Sequence, residues 1–126
     1  MALRSPDDAR VAVRSFPRRF SELLAAAEGD PDIPDDVVAA VAEAEAAATS
    51  ALSDASVALG GVAAGVLGAA ADELTAVIDR RHGEQWKEAL PDGRMALEVL
   101  DRAVSEAADH LRAAERRVEA ARDERD

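Results

Sequence analysis

The feature that most constrains this chain is the spacing of apolar residues in its C-terminal third. Leu97, Leu100, Val104, Ala107, Leu111, Ala114, Val118 and Ala121 follow one another at steps of three and four for more than three heptads. That period belongs to an α-helix burying one side, and no strand holds such a set on a single face. Strand-type alternation appears nowhere else, and aromatic residues make up only 2 % of the chain. The expected fold class is all-α.

Local signals divide the rest. Ser5-Pro6 followed by Asp7 and Asp8 supplies a capping hydroxyl, a proline for the first turn and carboxylates at the positive end of a helix dipole. A first helix is expected over about 6–28, kinked at Pro17, with Val13, Phe16, Phe20, Leu23, Leu24 and Ala27 on its apolar stripe. A second is expected over about 35–59, its stripe running Val38, Val41, Ala44, Ala48, Leu52, Ala55 and Leu59. Continued to Arg81 it would measure about 70 Å, too long for a compact domain of this size, so Gly60-Gly61 is the natural break.

The third helix is expected over about 62–81, with Val62, Val66, Ala70, Leu74, Val77 and Ile78 buried and His82 near its negative end. A connector holding Trp86 leads to the fourth, about 93–122, after which "EAARDERD" is expected to fray. Four helices with short connections make an antiparallel up-down-up-down bundle the default. The 126 residues fit one domain, 1–126, burying roughly two thirds of the unfolded surface. Alanine at many seam positions implies thin, close packing, which a homodimer would supplement.

The net charge of −11 argues against nucleic acid or an anionic membrane as partner. Arg14/Arg18/Arg19, Arg80/Arg81 and Arg112/Arg116/Arg117 lie beside carboxylates and read as solvated faces. Absence of cysteine removes disulfides and thiolate chemistry, and no apolar leader follows the first residues, so a cytoplasmic location is expected. The weakly polar run Val57–Ala71 is too short and too glycine-rich to span a bilayer. Its Gly61-x-x-x-Gly65 spacing would instead let two helices approach closely. No nucleophile–base pair, no paired Glu-x-x-His and no phosphate-binding loop is present, and Ser50 stands where a phosphotransfer motif would need His.

Five segments occur in an informative order: "VRSFPRRFSELLA" (13–25), "SAL" (50–52), "AAADELTAVID" (69–79), "EQW" (84–86) and "AVSEAADHLRAAERRV" (103–118). Together they resemble the DinB-like superfamily, which includes the mycothiol-dependent maleylpyruvate isomerases. The resemblance spans most of the chain in short pieces, the first and last being the more specific. It implies a four-helix bundle and, in many members, a divalent metal. One His from the second helix and two ligands four residues apart on the last helix hold that metal, which activates a thiol cofactor or water.

Carried onto this chain, the Glu-x-x-x-His pattern falls on Glu106 and His110, which project from one side of a helix and can share an ion. The pair lies about 100° from the centre of the apolar seam, and Ser105 and Asp109 lie nearly opposite it. The expected second-helix His falls on Val57, which cannot ligate; Asp54 and Asp72 are nearby carboxylates that do not match the motif. The span between the second and third helices is also shorter than the family's.

The expectation is a DinB-like bundle with an incomplete metal site, non-catalytic and without a required cofactor, that binds a small ligand or a protein partner. The alternative is a metal- and thiol-dependent transferase or isomerase. There Glu106 and His110 would ligate, Asp54, water or a second subunit would complete the shell, and Phe20 and Trp86 would line the pocket. A third reading is a structural module oligomerising through "GGVAAGVLG".

Overall fold

The computed structural model describes residues 5–81, 89–91 and 93–125. The described chain is all-helical: α1 Pro6–Glu28, α2 Asp35–Ala58, α3 Leu67–Arg80 and α4 Ala96–Arg125, with a lone bridge between Ala89 and Met95 and no strand. Among the described residues no helix is long and apolar enough to cross a membrane.

Helix α1 starts as its sequence dictates: the Ser5 hydroxyl accepts the Asp8 N–H at 3.3 Å, with Pro6 in the first turn. It runs through Pro17 to Glu28 without a restart. Proline removes one helical donor there, and packing of Val13, Phe16 and Phe20 on either side carries the helix across. Gly29 closes it by donating to the Ala25 carbonyl at 2.9 Å.

The third helix begins five residues later than its apolar pattern implies. Gly60 adopts φ +95°, which ends α2, and Gly61 donates to the Ser56 carbonyl at 2.7 Å. Residues beyond it find partners outside a helix. The Val62 N–H donates to Glu73 Oε1 at 3.2 Å and the Ala64 N–H to Ser53 Oγ at 2.9 Å. Val62 and Val66, expected in the core, are therefore exposed. The fourth helix starts three residues late, because Gly93 sits at φ +86° in a turn closed by its N–H on the Leu90 carbonyl. It also continues to Arg125, past the expected fraying point.

Contacts fix the directions. Ala9 and Val13 at the start of α1 share a core cluster with Ala96 and Leu100 at the start of α4, and Ala27 at the end of α1 shares one with Val118 and Ala121 near the end of α4, so these two run together. Arg117 near the end of α4 pairs with Asp36 at the start of α2 at 3.6 Å, so α2 runs against them. The Ser53–Ala64 bond shows the chain doubling back along α2 after Leu59. Helix α3 then descends beside α2, bringing Val77 against Gly61 and Asp79 within 2.9 Å of Arg10 at the start of α1. The order is up-down-down-up, and strict alternation gives way because the Leu59–Leu67 connector returns the chain before α3 begins.

Helices α1 and α2 touch each other and both remaining helices, whereas α3 and α4 do not meet among the described residues. They lie on opposite sides of the α1/α2 pair. One core cluster joins Val13, Phe16, Phe20, Leu52, Leu74, Leu100 and Leu111 where all four helices are present. A second, of Ala27, Ile33, Val37, Val41, Ala114, Val118 and Ala121, closes the end that α3 does not reach.

Candidate functional site

The packing of α2 against α4 leaves a groove of about 280 Å³ at the end where α4 begins. Its floor is small by sequence: Ala51, Ala55 and Ala58 recur at three- and four-residue spacing on α2, facing Val99 and Ala103 of α4. Short side chains keep the helices close without filling the space above them. Asp54 from α2 and Arg94, Arg102 and Glu106 from the α4 side form the walls. Arg102 Nε donates to Glu106 Oε1 at 3.2 Å, an i,i+4 pair on one helix. Asp54 is exposed and forms no ion pair with a described residue.

Of the residues singled out by sequence, the structure brings Asp54 and Glu106 to one groove. His110, a turn beyond Glu106, is exposed and does not line it. The Glu106 carboxylate engages Arg102, and neighbouring Asp109 pairs with Arg112. Asp72 lies on α3, across the molecule from α4, and Val57 is exposed at the end of α2. Among the described residues no three His, Cys, Asp or Glu side chains gather as a donor set. The arrangement does not fit a three-ligand metal centre, and we derive no chemistry through one.

Phe20 is fully buried in the core and lines no groove wall. Trp86 and His82 lie outside the described residues. Sequence reasoning missed the two guanidinium groups. Arg102 was legible as the i−4 neighbour of Glu106, whereas Arg94 arrives from the connector and follows no helical register.

Four hydroxyl residues, Thr49, Ser53, Ser56 and Thr75, are buried, on helices α2 and α3. Thr49, Ser56 and Thr75 each donate to the carbonyl four residues earlier, at 2.8, 3.1 and 2.8 Å, and Ser53 accepts from Ala64. All are satisfied internally, so this seam offers no free polar group to a ligand. Comparison with protein-family models, curated proteins and solved structures gives no match to this chain.

Proposed function

We propose that the chain is a cytoplasmic, non-catalytic binding protein of DinB-like type, whose α2/α4 groove takes a small ligand carrying both charge signs. The observation that carries this reading is the pairing of a closely packed alanine floor with walls of two carboxylates and two guanidinium groups. A zwitterion finds complementary charges on both walls: its cationic end meets Asp54, and its anionic end competes with Glu106 for Arg102. Titrating isotope-labelled protein with free amino acids, followed by amide NMR, tests it. Saturable shifts confined to Ala51–Ala58 and Val99–Glu106, lost in Arg102→Ala, are expected. Absence of saturable shifts at millimolar concentration for every amino acid overturns it.

Asp54 and Glu106 facing one groove favour one competing reading, a metal- and thiol-dependent transferase in which His110 swings toward Glu106. Metal content by plasma mass spectrometry, after exposure to zinc, manganese or nickel, separates the two. Binding without metal is expected, and near one metal per chain, lost in His110→Ala, would establish the competitor.

A further inference from the structure

Three of the five exposed large apolar side chains among the described residues lie along one stretch of chain. Val57 and Val62 flank the Gly60-Gly61 turn and Val66 enters α3, with 53 %, 65 % and 66 % of their surfaces accessible. Ala63 and Gly65 between them are also exposed. Two side-chain bonds pin this connector in place, Ser53 to the Ala64 N–H and Glu73 to the Val62 N–H. The valines are thus presented on a fixed surface, and an apolar surface held out to water is where partners bind.

The surrounding charge selects the occupant. From Phe20 to Asp79, sixty residues carry twelve carboxylates and no Lys, Arg or His. Beside each pinning residue stands a carboxylate without a described partner, Asp54 next to Ser53 and Asp72 next to Glu73. The cations around it are engaged or set aside in the groove: Arg80 at the end of α3 pairs with Glu73 and Arg102 of α4 with Glu106, both at 3.2 Å, Arg81 is half-buried, and Arg94 lines the α2/α4 groove with Asp54. A second copy docking here symmetrically would set Asp54 and Asp72 against their own equivalents, in a molecule of net charge −11.

We propose that the Val57/Val62/Val66 surface docks a cationic amphipathic helix of another protein, its apolar stripe on the valines and its flanking Lys or Arg on Asp54 and Asp72. The surface shares Asp54 with the α2/α4 groove, but Val57, Val62 and Val66 do not line that groove, so the valine substitutions test this proposal independently of the small-ligand reading.

The test uses the full chain and two synthetic eighteen-residue helical peptides sharing one leucine stripe, flanked by lysine in one and glutamate in the other. Fluorescence anisotropy reads binding, circular dichroism verifies the fold of each variant, and light scattering reads self-association. The lysine-flanked peptide binds saturably and the glutamate-flanked peptide does not. Val62→Ser with Val66→Ser weakens binding by about tenfold, from lost apolar burial. Asp54→Asn with Asp72→Asn weakens it by about threefold to tenfold at low salt, and less at 0.5 M NaCl.

Equal binding of both peptides, failure of both, or indifference to the valine substitutions overturns the proposal. So does a dimer that dissociates on Val62→Ser, since the occupant is then a second copy.

Discussion

Gly61 and Gly68 stand on either side of the start of α3, and the same substitution acts oppositely on them. A Cβ on Gly61 would lie 2.5 Å from Val77 Cγ2, 2.8 Å from Glu73 Oε1 and 3.1 Å from the Ser56 carbonyl. Gly61→Ala is expected to cost about 1–3 kcal/mol, read by urea denaturation, because helix backbone and a buried valine must both yield. A Cβ on Gly68 meets nothing within 4 Å and the backbone is helical, so Gly68→Ala is expected to stabilise by about 0.5–1 kcal/mol. Phe16 and Phe20 are the largest fully buried side chains in a core otherwise rich in alanine. Phe20→Ala is expected to cost about 3–5 kcal/mol in the same measurement, because small neighbours anchored on rigid helices collapse poorly into the space. Legibility at this scale followed geometry. Helical angle alone placed Glu106 on the flank of α4, where it forms a groove wall, but the arrival of Arg94 depends on a turn that no periodicity encodes.

Elements were readable where their signals are local. The Ser5 cap and the Ala25–Gly29 bond bound α1 within its own sequence, and the bounds read from sequence match those observed. The start of α3 is decided elsewhere, by Ser53 and Glu73, each eleven residues from the amide it binds. The apolar period continued through Val62 and Val66 while the backbone took side-chain partners instead. Ser53 and Ser56 give the corresponding prediction. Ser53→Ala leaves the Ala64 N–H without its acceptor and is expected to cost about 1–2 kcal/mol, with faster amide exchange across residues 61–66. Ser56→Ala removes only a second donor to the Leu52 carbonyl and is expected to change stability by less than about 1 kcal/mol. Equal losses would mean that the connector is held by packing rather than by the Ser53 bond.

At the scale of the whole molecule, charge and direction are the organising quantities. Cations from α1 and α4 reach the cation-free middle of the chain through Arg10–Asp79 and Arg117–Asp36, while Arg19–Glu115 joins α1 to α4. These pairs are exposed and each contributes little, so mutual repulsion among excess carboxylates outweighs them. Raising NaCl from 0.01 to 0.15 M is expected to raise Tm by about 2–5 °C in a thermal scan, and a fall would mean that the ion pairs dominate. The four-helix class was legible because every stretch shares the helical period, but the up-down-down-up order was not, since direction is set by the connector. Parallel α1 and α4 have a separate consequence. Ser5 and Arg125 emerge at opposite ends of a rod whose longest helix, with 30 residues, measures about 45 Å. Anything fused to the two ends is held apart by that rod, so dyes attached there would report one narrow separation in the folded protein and a broad distribution of mostly longer separations once it unfolds.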